Sequence, residues 1–452
     1  MFSSHGSLIP VAAWMKRHRI WTTFAAKVHV PQKAIYYQPH EKVLVATVGI
    51  MCGIHGLVEI NGLRPDKAIC QAFDLPGWPD QSTVSETFSA CGSATVQEMR
   101  TYLTELFRQY SPACRQRFRD RLQILDVDLT GLPCGEQAEE ATKGYFAEQP
   151  GRRGRQLGRV VDAASGEIVV QALYPGRKQL SEALIPLVEM AEHPLGIALE
   201  DRDRRSLILL RTDAGGGTED EINWALGRGY QILTKLKNHQ RTQKLVQSVV
   251  TWYDDPKVPG RSVGLVEQPY AFVAPTIQVA IRSVRERKGK QETTTRVLVI
   301  SLSREATVKL AGVRIRTAPP DQQVALAAAH LYDDRGGGAE TENRQDKQGL
   351  GLTKRNKKSF AAQEMLVLLA ELVHNLLLWV RRDMAKEEPD CRKLGLKRLV
   401  REVFQIPGQL VPAPSRGEWS LILSRDHHMS QKLLRPLQVL AGSKLVVNLG
   451  EI

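Results

Sequence analysis

Five short runs of strand-forming residues, separated by turn signals and two helical stretches, constrain the fold of this chain more than any other feature. The first, Leu122-Gln-Ile-Leu-Asp-Val-Asp128-Leu-Thr-Gly-Leu, alternates and carries β-branched residues, and the Gly and Pro behind it mark its end. Arg155–Asp162 and Glu167–Leu173 follow, joined by the turn-forming Ala-Ser-Gly, so the chain opens as an antiparallel three-strand meander. A helical pattern from Leu180 to Met190 puts Leu184, Leu187 and Val188 on one stripe.

The apolar run Ser206–Leu210 then ends in Arg211-Thr-Asp213-Ala-Gly-Gly-Gly217. A buried strand that delivers a carboxylate into a glycine-rich loop suits a ligand site, because glycine lets other backbone or a phosphate come close. Thr218-Glu-Asp-Glu221 starts a helix, and Tyr230–Leu236 reads as the last strand. The order β-β-β-α-β-α-β is that of a ribonuclease-H-like α/β fold with a mixed sheet. The Asp213 loop lacks the Lys and Ser or Thr that a phosphate-binding P-loop requires.

A third acid comes from another region. Glu340 and Glu342 both follow the triple glycine Gly336 to Gly338. With a helix resuming near Ala339, Glu340, Arg344 and Lys347 fall at i, i+4 and i+7, one carboxylate and two cations on one face. Glu342 points elsewhere, toward Asp346. Acids that hold metal beside cations that hold phosphate are what phosphoryl transfer needs, which favours Asp128, Asp213 and Glu340 as a shared metal site.

These residues carry a resemblance. Tyr332-Asp-Asp-Arg335-Gly-Gly-Gly-Ala-Glu340, with Lys347 behind it, resembles the tyrosine, arginine, glutamate, lysine signature of bacterial insertion-sequence transposases of the DDE type. Leu125-Asp-Val-Asp128-Leu-Thr130 and Arg211-Thr-Asp213-Ala-Gly-Gly are similar to the first and second acid motifs of the same enzymes, and Gly349–Lys358 with the helix after it is similar to their usual ending. The gap from Arg335 to Glu340 is one residue longer than the common pattern, which leaves open a register in which Glu342 does the work.

The resemblance implies a catalytic core that binds two divalent cations, Mg or Mn, through Asp128, Asp213 and Glu340. It implies cleavage of DNA at the element's terminal inverted repeats and joining of the freed 3′-hydroxyl to target DNA, without a covalent enzyme intermediate. Tyr332, Arg335, Arg344, Lys347, Lys354 and Arg355 become the expected DNA contacts. A homodimer on DNA and a bacterial, cytoplasmic, nucleoid-associated setting follow from it too. The rival readings are a plain two-metal nuclease of the same fold and a non-catalytic DNA-binding remnant of a mobile element; the intact acids argue against the remnant.

Composition is compatible with a DNA partner. The formal charge of +13 on 452 residues favours polyanions and salt-dependent binding. Cys52, Cys70, Cys91, Cys114, Cys134 and Cys391 form no C-x-x-C pair, so neither a zinc site nor a disulfide framework is expected. The start, Met1-Phe-Ser-Ser-His-Gly, lacks the basic and apolar regions of a signal peptide. Met365–Val380 contains Glu371, His374 and Asn375 and reads as a core helix, with His374 a satisfied core residue and no membrane partner.

The expected organisation is a helical DNA-binding region over 1–118, a ribonuclease-H-like core over 119–240 and 317–385, a β-rich insertion over 241–316 and a small C-terminal unit over 386–452. In the first, Arg64–Phe73 and Asp80–Phe88 form a helix-turn-helix-like pair whose second helix offers Gln81, Ser82, Thr83 and Ser85 to DNA, or else a plain packed pair. In the insertion, strands are expected at 262–266, 277–281, 296–300 and 308–315. Arg282, Arg285, Arg287, Lys288 and Lys290 make a basic turn, and Trp252 or Tyr253 could stack on an unpaired base. Lys354-Arg-Asn-Lys-Lys358 is a further cationic tract.

Overall fold

The computed structural model of the chain describes all positions except 35, 116–120, 145, 147–150, 288–289, 313–317, 338 and 414–417; the side chains of 115, 287, 290, 337, 339–342 and 418 also lie outside the described residues. Two compact units result: Pro112–Thr130 with Gln156–Thr341, and Met1–Ser111 with Gly131–Arg155 and Glu342–Ile452.

In the first of these units, the five expected strands form: β1 (Gln123–Pro133), β2 (Arg153–Asp162), β3 (Ile168–Pro175), β4 (Ile208–Thr212) and β5 (Gln231–Lys235). They lie side by side in the order β3-β2-β1-β4-β5. Strands β1 and β4 are parallel, with Val127 opposite Thr212, and β4 and β5 are parallel, with Arg211 opposite Leu233. Every residue of β4 is buried, as a central parallel strand covered on both faces requires. This is the ribonuclease-H-like arrangement.

Helix α1 (Leu180–Leu195) starts at a capping box of Gln179 and Glu182 and buries Leu184, Leu187 and Val188. Helix α2 (Glu219–Arg228) carries β4 into β5, with Glu219, Asp220 and Glu221 in its first turn, where the helix dipole favours negative charge.

The region 241–316 differs from expectation. Strand β6 (Arg261–Leu265) and the long hairpin β7 (Ile277–Arg287) and β8 (Lys290–Ile300) form, but they continue the core sheet and make no separate module. Leu298 to Ile300 of β8 pair antiparallel with Leu233 to Lys235 of β5. The reason is the edge of β5, whose unpaired N–H and C=O groups need a partner strand. The expected strand at 308–315 is instead the end of helix α3 (Arg304–Ala311), which Ser303 caps through its side chain and Gly312 closes at φ 61°; positions 313–315 lie outside the described residues. Helix α4 (Pro320–Gly337) lies against β6 and β7 and is followed by helix α5 (Ala339–Gly349).

The other unit corrects the terminal boundaries. The N-terminal helices, helix α6 (Phe360–Met384) and the segment after 386 share one apolar core, so 386–452 is no separate unit. Phe2 and Ser3 pair with Gln409 and Gly408. Helix α6 is long and apolar enough to cross a membrane by composition, yet 89% of its apolar window is buried in protein. His374 on it is fully buried and bonded through Nδ1 to Asp346 Oδ1 at 2.8 Å.

One buried ion pair links sheet and helix in the unit that holds β4 and α4. Arg211, 2% exposed, donates through Nε and Nη2 to Oδ1 and Oδ2 of Asp126, 0% exposed, at 2.6 and 2.9 Å. Its Nη1 donates to the Leu331 carbonyl on α4 at 2.7 Å. Removing one partner leaves an uncompensated buried charge. Asp126→Ala is therefore expected to lower stability by about 3–5 kcal/mol in denaturant unfolding. The double variant Asp126→Leu/Arg211→Met should recover part of the loss, and a single-variant midpoint equal to wild type would remove this pair from its structural role.

Candidate active site at the ends of three parallel strands

The three central parallel strands part at one level: β4 and β5 end at Thr212 and Lys235, and β1, which runs on to Pro133, leaves its pairing with β4 after Val127. Beyond the last paired residues Val127 and Thr212 come Asp128 and Asp213. Continuing the β4–β5 register two residues past Arg211 and Leu233 sets Asp213 beside Lys235. The Thr212 and Thr234 hydroxyls meet at 2.8 Å, as that register requires. Asp213 keeps extended backbone angles, φ −79° and ψ −173°. With a period of two, Asp128 and Asp213 then share a sheet face with the Asp126–Arg211 pair. Open α/β sheets bind ligands at such carboxyl ends.

Helix α4 covers this face. One turn beyond Leu331, the carbonyl acceptor of Arg211, Arg335 is buried and donates through Nη2 to Asp128 Oδ1 at 2.7 Å. Tyr332 is buried, and the Lys235 ammonium lies 4.5 Å from the centre of its ring, a cation–π contact. Of the two aspartates in the first motif, Asp126 is thus a sealed structural acid and Asp128 the partly exposed one, in mid-strand just past the β1–β4 pairing.

The glycine loop after Asp213 has a clear local cause. Asp213 Oδ1 accepts from the Gly215 N–H at 2.7 Å, which fixes the direction of its carboxylate. Gly217 packs on the backbone of β5: a Cβ there would lie 1.8 Å from the Lys235 carbonyl oxygen, and its own carbonyl accepts from Lys237 N at 2.9 Å. The close approach that the glycines permit is that of protein backbone.

The electrostatics centre on Lys235. Burial lowers its pKa from the ordinary lysine value; Asp333 opposes the shift, Arg296 and Arg335 add to it, and Asp213 opposes it. Sequence reasoning passed over this residue. The available signal was its place at the end of the third parallel strand, in register with the two aspartates.

The remaining expected site residues fall in different places. Glu340 lies in the first turn of α5, and its side chain, like that of Glu342, is outside the described residues. Arg344 and Lys347 follow on the same helix, exposed and half-buried respectively. Lys354 is exposed. Arg355 requires correction as a DNA contact: it is buried and donates to the carbonyls of Ile54, His55 and Leu350, and burial pushes its pKa down to about 10. Lys357 likewise bonds to Ser85, so that serine of the helix pair (Lys67–Ala72 and Gln81–Ser89) is engaged within the protein. Asp80 caps the second helix of that pair, its Oδ1 accepting from both the N–H and the hydroxyl of Ser82, so that serine too is engaged within the protein. The Trp252 ring is covered by Arg282 at 3.9 Å, which occupies a face that a base would need.

Among the described residues no three His, Cys, Asp or Glu side chains gather as a metal cluster. The two described acids still fit a hard divalent cation: the donors are carboxylate oxygens only, they leave adjacent strands on one face, and the Gly215 N–H aligns one of them.

A family model described as transposase DDE domain group 1 matches residues 1–443. No curated protein matches the sequence. Among solved structures, the chain is similar to the piggyBac transposase in a cryo-EM synaptic complex with hairpin DNA, at a TM-score of 0.47 and 11% identity, over 87% of this chain and 79% of that one.

The packing of the glycine loop gives a paired prediction. Gly217→Ala places a methyl against the Lys235 carbonyl and should lower the thermal midpoint, whereas Gly227→Ala, on α2 with nothing within 4 Å, should raise stability by about 0.5–1 kcal/mol. Equal midpoints for the two variants in a melting experiment would contradict this packing.

Proposed function

Because the chain belongs to the family of DDE-domain transposases, we propose that Asp128, Asp213 and Glu340 are the acids with which this DNA transposase cuts the ends of its element and joins them to target DNA. The observation that carries the reading is the placement of Asp128 and Asp213 one step beyond the last paired residues of adjacent parallel strands, on the face covered by Arg335.

Membership implies divalent metal use, and two Mg ions, or Mn in their place, would be held by these three carboxylates. When bound, the ions activate the attacking oxygen and stabilise the leaving oxygen. The protein's own residues hold the geometry. The Gly215 N–H aims the Asp213 carboxylate, and Arg335 balances the charge on Asp128. Two carboxylates side by side repel each other, so a fixed guanidinium at 2.7 Å keeps the pair compatible with a compact site. Tyr332 braces α4 from within.

The DNA partner is proposed to be the terminal inverted repeats of the element and then the target duplex, in the nucleoid of a bacterial cell. Exposed Arg344 and Lys354, with the half-buried Lys347, supply backbone contacts that carry no sequence information. A homodimer on DNA brings two ends together.

A strand-transfer assay tests the reading, with purified protein, Mg and labelled duplex carrying the repeats that flank its coding sequence. Asp213→Asn should retain the fold and DNA binding and reduce cleavage to background, since a neutral amide ligates Mg poorly. Glu340→Gln should do the same and Glu342→Gln should remain active. Nicking of any duplex without joining would replace the transposase mechanism by a plain nuclease, and full activity of Asp213→Asn would overturn the metal site.

A further inference from the structure

Lys235 has the surroundings of a group that waits for an anion. It closes β5 two residues past Leu233, the partner of Arg211, so that continuing this register brings it beside Asp213 on the face of the acids. Its backbone is held from both sides, by antiparallel pairing with Leu298 of β8 and by the carbonyl contact with Gly217. The neighbouring Thr234 hydroxyl donates to the Asp213 carbonyl at 2.9 Å, which ties the two strand ends to each other.

The side chain is half-buried, and the Tyr332 ring braces its ammonium at 4.5 Å. Among the described residues that ammonium makes no hydrogen bond and no ion pair within 4 Å. An ammonium has three donors, and withdrawing it from water without an acceptor is unfavourable. A solvated surface lysine would show no such bracing, and a structural one would reach a carboxylate, as Arg335 does with Asp128. What the local chemistry lacks is an anion delivered from outside, at the point where the acids end.

We propose that Lys235 contacts a non-bridging oxygen of the DNA phosphodiester that undergoes cleavage and joining, so that the site would hold its substrate phosphate between the acids, which would carry the divalent cations, and this ammonium. The assignment rests on the active-site reading given above. A lysine serves here as a point charge on a rigid strand end, braced by an aromatic face, with Arg335 reserved for Asp128. No proton transfer is required of it; its positive charge opposes the negative charge that builds on the phosphoryl oxygens in the transition state.

The test compares wild type, Lys235→Met, Lys235→Arg and Asp213→Asn, each first checked for an unchanged thermal midpoint. Two quantities are read: the single-turnover rate of strand transfer from a pre-cleaved repeat in Mg, and the dependence of repeat binding on salt with Ca in place of Mg. Lys235→Met is expected to slow joining roughly a hundredfold, within the range for loss of one transition-state donor. The slope of log affinity against log salt should fall by about one, the signature of a lost phosphate contact. Lys235→Arg should restore the slope and most of the rate. A Lys235→Met protein with wild-type rate and slope overturns the assignment. A slow variant with an unchanged slope and no rescue by arginine also overturns it, since it marks a structural role. Should Asp213→Asn cut normally, the active-site reading itself fails, independently of Lys235.

Discussion

Everything in the candidate site hangs from the Arg211–Asp126 pair. A charge pair with both partners essentially out of water is a weak contributor to net stability, but it is unforgiving of misregistration. Arg211 satisfies Asp126 on β1 from β4 and, with its remaining arm, the Leu331 carbonyl on α4. Sliding β4 by one residue against β1 would separate the pair, and rotating α4 would orphan a guanidinium donor. The pair therefore fixes the strand register and the azimuth of α4 together. Arg335 and Tyr332 inherit their positions from that azimuth, and Asp128 and Asp213 inherit theirs from the register.

Much of this architecture was legible because the residues that build it are locally unambiguous. Strand β4 is short, apolar and bounded by polar residues, and the turn between β2 and β3 is marked by Ala-Ser-Gly. Legibility failed where the deciding partner was distant. Val308 to Ile315 contains enough β-branched residues to read as a strand, yet the Ser303 cap and Gly312 close a helix there. The hairpin β7–β8 looked self-contained because nothing in its own residues announces that β5 offers a free edge. The same blindness set 386–452 apart as a unit of its own, since a shared core depends on residues hundreds of positions away.

The candidate residues divide in the same way. Asp128 and Asp213 drew notice because each carboxylate follows an apolar, strand-forming run and stands two or three residues before glycine. Lys235 escaped because lysine at a strand end is the commonest of solvated residues, and only the parallel register puts it beside Asp213. Arg355 misled in the opposite direction. In a cationic tract its neighbours Lys354 and Lys358 are exposed, and only the folded chain reveals that its guanidinium is the hub of three carbonyls.

The Arg335–Asp128 bond joins residues 207 positions apart in sequence. Contacts of such separation close only after the intervening chain has been made and has collapsed, and they are slow steps in folding. The segment that reaches from β1 to the end of α4 must accordingly leave the ribosome before Arg335 can meet Asp128. A chain cut short before α4 would therefore keep Asp128 and Arg211 on the sheet but lack both the Arg335 guanidinium that pairs with one and the Leu331 carbonyl that anchors the other.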